Sequence, residues 1–471
     1  MVGVLFEYEA ADIAEFGYGA IMRTGRATPT PAQAVSRQAV KAPFNNRMRT
    51  PLWQQLFVFL VGFSIQFNVL IGGSGGGALE TGTFGYRFSD FIALIAFGLL
   101  CLYALAPQRL LPLGLFGMFI AALYFFAMLS PEPRTSILAK HYILYTLAGI
   151  YVAMIVNDPV ALSRFCWGLI LGGVASVPIF SLESAGYSSA LIDWGLVPGY
   201  SHVFEGLVRS LPRYSGLSGH PNEAGHVAAL SAAAGAYFAY VKRRYLPLAL
   251  AAASILLIFY YTWSRGGLVA GGVVLFIPFV LSRGRTEVWR LPLMIAAFVV
   301  VLVAITQLDF VMSRFENDPN ISNNIAGRID STTYALGAIL SHPFGTSMED
   351  FYSIVGSGTG GTNSAHNGFL FFGGIFGVLP LLALLMVFLA NFIIRDETDI
   401  FFALLTLQVG ISYSFEQLSG AYSYAFITSI MMARLLLKTR LGAIFQAPLG
   451  RSNRLRRWGI PPRPGTPSLK S

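Results

Sequence analysis

The sequence predicts an all-α, polytopic integral membrane protein with about 12 transmembrane helices and two larger loops on its outer face. Composition is the first reason: of 471 residues, 55% are hydrophobic and only 12% charged, which excludes a soluble α/β protein. The second is length, because apolar runs near the roughly 20 residues that a membrane-crossing helix needs recur along the chain. The third is the uneven placement of Lys and Arg between the loops of the two faces.

Taken in order, the segments that meet the length rule are 52–72, 89–106, 110–129, 138–157, 162–182, 222–241, 245–262, 265–282, 291–307, 367–394, 400–417 and 421–437. Segments 245–262 and 265–282 are a short pair, separated by a very brief turn. One alternating set of loops holds Arg109, Arg164, Lys242-Arg243-Arg244, Arg283, Arg285, Arg290 and Arg395. The head, with Arg23, Arg26, Arg37, Lys41, Arg47 and Arg49, belongs to the same set, as does the tail with Arg451, Arg454, Arg456 and Arg457. These loops and both termini are expected on the cytoplasmic side. The net charge of +9 follows mostly from this bias, so no nucleic-acid partner is implied.

Three domains are expected: a cytoplasmic head over 1–50, a transmembrane domain over 51–440 and a disordered tail over 441–471. The head lacks an apolar h-region and is not a cleaved signal. The outer loops are expected at about 183–221 and 308–366. Cys101 and Cys166 fall inside spans and imply no disulfide framework.

Ionisable groups are costly in a bilayer, so their placement is informative. Span middles carry almost no charge, unlike a carrier with a midplane site. Polar groups gather instead at outer helix ends. The first cluster is Arg213-Tyr-Ser-Gly-Leu-Ser-Gly-His220-Pro221-Asn222, where Pro221 suits a first helical turn because its missing N–H needs no partner there. An ordinary interfacial turn with a snorkelling arginine explains it equally well. The second is Thr262-Trp263-Ser264-Arg265-Gly266-Gly267, in which Arg265 is either a ligand contact or a headgroup anchor beside Trp263. The third lies in the second large loop and holds Gly327-Arg328, Ser341-His342-Pro343-Phe344-Gly345 and Ser364-Ala365-His366-Asn367. Gly356–Gly361 lacks the strand and lysine of a phosphate-binding loop and is expected to be a hinge before His366. His366 itself is either a helix cap or a functional base.

Spans starting near Pro221, Arg265 and Asn367 all run from outside to inside, so their N-terminal N–H groups and positive dipole ends face outward. Together with Arg213, Arg265 and Arg328 they suit a bound oxyanion or diphosphate. A neutral histidine beside such a site removes a proton near pH 7. No Asp-x-Asp pair stands in a loop, which argues against a metal-bound nucleotide sugar. No His-Glu-x-x-His or paired-Cys metal site is present either. A lipid-linked diphosphate donor fits without metal or cofactor.

The order RYSGLSGHPN, TWSRGG, GRIDSTTYALGAILSHPFGTS and SAHNGFLFFGGIFG resembles the O-antigen ligase and polymerase superfamily of bacterial envelope polysaccharide assembly, from about Arg213 to Gly377. The resemblance implies a metal-independent, inverting glycosyltransferase in the inner membrane, with a periplasmic site. By motif, Arg213 and Arg265 would hold an undecaprenyl diphosphate and His366 would be the base for the acceptor hydroxyl. Arg328 matches the family's loop arginine, and it joins His220, Asn222 and Asn367 as expected substrate contacts.

The implied partners are an undecaprenyl-diphosphate-linked oligosaccharide, a glycan or lipid A–core acceptor, membrane lipids, and polysaccharide export and chain-length proteins. Polymerases and ligases share these motifs; polymerisation of repeat units is the first reading and ligation to lipid A–core the second. A flippase or exporter for the same lipid-linked glycans is the competing class, and a non-catalytic assembly partner a further one.

Overall fold

Prolines and short polar caps start most of the helices, as the chemistry of orphan N–H groups requires. In the computed structural model these are α1 (Leu52–Gln66), α2 (Phe88–Ala104), α3 (Pro107–Leu123), the single turn α4 (Phe125–Met128), α5 (Pro133–Ile155) and α6 (Pro159–Leu182). A π-helical turn over Glu183–Tyr187 leads into α7 (Ser188–Asp193). The chain continues through α8 (Pro221–Val241), α9 (Leu246–Thr262), α10 (Arg265–Val280), α11 (Ile321–Ser341) and α12 (Met348–Thr359). It ends with α13 (Gly368–Phe376), α14 (Val378–Asn391), α15 (Glu397–Phe415), α16 (Tyr422–Lys438) and α17 (Arg440–Phe445). Two short antiparallel ladders, β1 (Leu70–Ile71) with β2 (Tyr86–Arg87) and β3 (Phe204–Glu205) with β4 (Pro212–Arg213), tie loop segments together. The structure describes residues 50–71, 86–194, 196, 204–205, 212–218, 220–280, 321–359, 367–394, 396–418 and 421–446.

The fold is therefore helical, as expected. Four described helices are long and apolar enough to cross a membrane: Pro133–Ile155, Pro159–Asp193, Pro221–Val241 and Glu397–Phe415. Shorter apolar helices of 10–17 residues accompany them. Segment 291–307, the head 1–49 and the tail from 447 lie outside the described residues. The first residues of the expected tail are helical instead: α17 packs Phe445 against Tyr103 and Phe116, with ring centroids 5.5 and 6.1 Å away.

Segment 367–394 is not one span. It breaks at Gly377, whose φ of 93° lies in the region that favours glycine. Phe369 on α13 and Phe388 on α14 have ring centroids 5.2 Å apart. A continuous helix would hold those two positions about 28 Å apart, so the two helices fold back on each other. The apolar run concealed this turn because composition does not register a change of direction.

Two small-residue seams set the packing. α1 crosses α6 where a Cβ on Gly168 would lie 2.1 Å from the Phe59 carbonyl oxygen. α8, buried along most of its length, meets α10 where a Cβ on Gly267 would lie 2.4 Å from the backbone of Gly225. Small residues let helices approach in surroundings where lipid gives no hydrophobic drive for association.

A charged cluster closes the opposite end of the bundle. Arg434 on α16 pairs with Asp399 in the first turn of α15, and both side chains are 2% exposed. Lys438 Nζ also reaches Asp399, at 2.5 Å, and Arg434 donates to Asn391 Oδ1 at 3.3 Å. The guanidinium lies 4.2 Å from the Phe402 ring centroid. Removing one member strands a buried charge, whereas replacing both by apolar groups need not. Asp399→Ala should therefore cost about 3–5 kcal/mol, read as a lower thermal midpoint in detergent. Asp399→Leu combined with Arg434→Met should recover most of it, because Lys438 can turn to water. An Asp399→Ala midpoint equal to wild type would show that the cluster carries no stability.

Candidate functional site

Arg213 is held by the ladder β3–β4, in which it pairs with Phe204. Its Nε donates to the Thr262 carbonyl at 2.8 Å and its Nη2 to Asn222 Oδ1 at 2.6 Å. Thr262 ends α9, so its carbonyl is among those with no intrahelical partner, and the guanidinium caps it. The chain turns sharply there, with Trp263 at φ 52°. Beside it, Tyr214 N donates to the Tyr261 carbonyl at 3.1 Å. The first and second sequence clusters thus meet at the end of α9.

Asn222 is the hub. Its Oδ1 accepts from Arg213 while its Nδ2 donates to Glu416 Oε2 at 2.9 Å. A donor on one side and a carboxylate on the other allow only one orientation of the amide. The Asn222 carbonyl accepts from Ser264 Oγ at 3.2 Å, and that oxygen accepts from Gly267 N at 3.4 Å. Ser264 therefore caps α10 while anchoring it to α8. Arg265, the first residue of α10, has an exposed side chain.

The third helix N-terminus joins at the same place. Asn367 Oδ1 accepts from Phe369 N at 3.0 Å and Leu370 N at 3.1 Å, so Asn367 is the cap of α13. A Cβ on the next residue, Gly368, would lie 3.2 Å from the Glu416 carbonyl oxygen. The starts of α8, α10 and α13 accordingly gather around Arg213, Asn222 and Glu416. His220 caps α8, its Nδ1 accepting from Asn222 N at 3.1 Å.

The third and fourth motifs interlock by backbone. Thr346 N donates to the Gly374 carbonyl and Val378 N to the Pro343 carbonyl, both at 2.9 Å. A Cβ on Gly345 would lie 2.3 Å from the Ile375 carbonyl oxygen, which is why a glycine stands there. α12 follows directly. Glu132 Oε2 accepts from Met348 N at 2.6 Å, and Ser347 Oγ accepts from Asp350 N at 3.0 Å. Gln417 Nε2 donates to the Tyr352 hydroxyl at 2.5 Å. Burial pushes that phenol above its ordinary range, so it stays neutral and serves as an acceptor.

Gly356 and Gly358 lie on α12, so the expected hinge over Gly356–Gly361 is helical as far as Thr359. Docking of the buried Phe351 and the Glu132 cap outweigh the low helix propensity of glycine. His366 lies outside the described residues, as does His202, and Arg328 is on α11 with its side chain outside them. Among the described histidines, His141 is engaged at both nitrogens, with Nδ1 2.8 Å from the Ile137 carbonyl and Nε2 3.6 Å from Asp90 Oδ1. Among the described residues no group of three His, Cys, Asp or Glu is placed to hold a metal.

Sequence reasoning missed Glu416 and gave no role to Thr262 and Ser264, although both stand in the second cluster. The available signal was Glu416 itself, an acidic residue at the outer end of a span in a chain with few of them.

Residues 248–388 match the family model described as O-antigen ligase. The match likens that region, from α9 to α14, to the O-antigen ligase and polymerase superfamily. A comparison with curated proteins gave no match.

If Asn222 is the hub, Asn222→Leu should leave Arg213 and Glu416 each short of a partner. The expected cost is about 1.5 kcal/mol, at the low end for lost charged hydrogen bonds because the site is only partly buried. Glu416→Gln keeps an acceptor for the Asn222 amide and should cost less. Thermal midpoints in the reverse order would remove Asn222 from the centre of the network.

Proposed function

We propose that the protein transfers a glycan from an undecaprenyl-diphosphate carrier on the periplasmic face of a bacterial inner membrane, with both termini cytoplasmic, and that it polymerises repeat units of a surface polysaccharide. The observation that carries this reading is the meeting of three helix N-termini around Arg213 and Asn222, with Arg265 opening one of them. The first-turn N–H groups are largely capped by His220, Ser264 and Asn367, so each N-terminus contributes mainly its dipole, roughly 0.3–1 kcal/mol, to a bound anion. Arg213 and Arg265 add the charge and planar fork that match a diphosphate. Arg328 and Asn367 complete the contacts to the donor, and His220 holds the turn before Asn222.

In the proposed step the acceptor hydroxyl oxygen attacks the anomeric carbon from the face opposite the diphosphate. A new glycosidic C–O bond forms as the bond to the diphosphate oxygen breaks, and that oxygen keeps the electron pair. The hydroxyl proton passes to the His366 imidazole. The configuration at carbon inverts. Negative charge growing on the leaving diphosphate meets the arginines and helix ends, with no metal required. Glu416, behind Asn222, offsets part of the positive charge, which favours release of the diphosphate product.

Ligation to lipid A–core uses the same donor half-site and differs only in the acceptor. The test is complementation of a deletion strain. Wild-type protein should restore a ladder of polymer lengths, and the deletion itself should leave a single repeat unit. Free polymer over unmodified core in the deletion would indicate a ligase instead, and intermediates held on the cytoplasmic face a flippase. Arg265→Ala should fail to restore the ladder at normal membrane levels, a loss of about 10²–10³ in rate. Arg265→Lys should also be impaired, because a point charge lacks the bidentate fork. His366→Ala should lose about 10²–10⁴-fold while still binding donor. Near-normal ladders from the Arg265→Ala and His366→Ala variants would end this mechanism.

A further inference from the structure

We infer that part of the outer loop is not in water: the exposed apolar face of α11, together with Phe344, is seated in the acyl region of the outer leaflet. The pattern on α11 is unusual for a loop helix. One face, with Ala335, Ala338 and Ile339, is buried against the protein. The opposite face carries Ile329 62%, Leu336 47% and Leu340 80% exposed, with Thr333 between them, its hydroxyl donating to the Ile329 carbonyl at 3.0 Å. The spacing Ile329, Leu336, Leu340 runs as one stripe along a helix of period 3.6. A helix that is apolar on both faces belongs in a core or in lipid, not at a protein–water surface.

What covers the stripe follows from the exposed apolar surface that it adjoins. Beyond Leu340 the chain turns through Phe344, which is 65% exposed. The Phe344 ring lies 4.9 Å from that of Phe126. Phe126 and Leu129 are 55% and 63% exposed and follow α3 directly, inside segment 110–129, whose composition assigns it to the bilayer. The stripe therefore leads, across the exposed turn Ser341-His342-Pro343, to exposed apolar residues at the end of a segment whose composition suits the bilayer. The same turn hydrogen-bonds to the broken backbone between α13 and α14, so it is fixed at that depth. Asp330, exposed beside Ile329 at the far end of the stripe, suits the headgroup level. A large exposed apolar patch calls for an occupant, and lipid is the one this surface is joined to.

The inference does not depend on which glycan is transferred. It is tested on the full-length protein in liposomes, starting from Cys101→Ser so that buried Cys166 is the remaining native thiol. Single Leu336→Cys, Leu340→Cys and Phe344→Cys variants would carry a bimane label. Each should lose fluorescence in brominated phosphatidylcholine as strongly as a label at Leu102→Cys, an exposed position on α2. Each unlabelled thiol should resist a membrane-impermeant maleimide that reacts with Glu349→Cys, on the exposed start of α12. Rapid maleimide reaction without bromine quenching would overturn the inference in favour of water. Protection without quenching, with disulfide cross-links between two copies of the chain, would overturn it in favour of a protein interface. Three separate positions keep the result independent of any one variant that fails to fold.

Discussion

The hydrogen bonds through the Asn222 side chain hold together elements that are far apart in sequence. The amide accepts from Arg213 and donates to Glu416, while the backbone carbonyl of the same residue takes Ser264. A segment after the fifth span, the start of α10 and the end of α15 thereby share one residue. The small-residue contact between Gly225 and Gly267 brings the first turns of α8 and α10 close enough for the Ser264 bridge to form. In surroundings of low dielectric an unmade polar contact is expensive, so the arrangement is strongly specified once the helices pack.

The chemistry follows from this geometry more than from any single residue. One arginine is engaged with a helix C-terminal carbonyl and with Asn222, and another begins a helix with its side chain exposed. The first is a preorganised charge that needs little reordering when an anion arrives. In the reaction proposed above, such preorganised charge would stabilise the leaving diphosphate. Glu416 keeps the Asn222 amide oriented and prevents the site from being uniformly positive.

Much of the helical architecture was legible because apolar length and proline punctuation are local signals. Pro221 opens α8 as its chemistry suggests, and the helix before Trp263 ends where the short turn was read. The function of individual caps was harder to read: Asn367 makes the hydrogen bonds that start α13. Convergence of three helix ends is a tertiary fact with no sequence period. Glu416 was passed over because one acidic residue after a span reads as an ordinary solvated end. The turn at Gly377 was hidden inside an unbroken apolar run. The glycines of 356–358 were misread in the other direction, since packing of Phe351 and an imported carboxylate cap hold them in a helix.

The elbow at Gly377 also limits how this protein can be recombined. Pro343 and Thr346 supply the partners for Val378 N and the Gly374 carbonyl, and Gly345 and Gly377 fit each other by the absence of side chains. A chimera that took the outer loop from one relative and the α13–α14 hairpin from another would need both halves of that joint to agree. Otherwise two main-chain groups would sit in apolar surroundings with nothing to bond. The portable unit is therefore the whole stretch from α11 to α14, exchanged as one cassette.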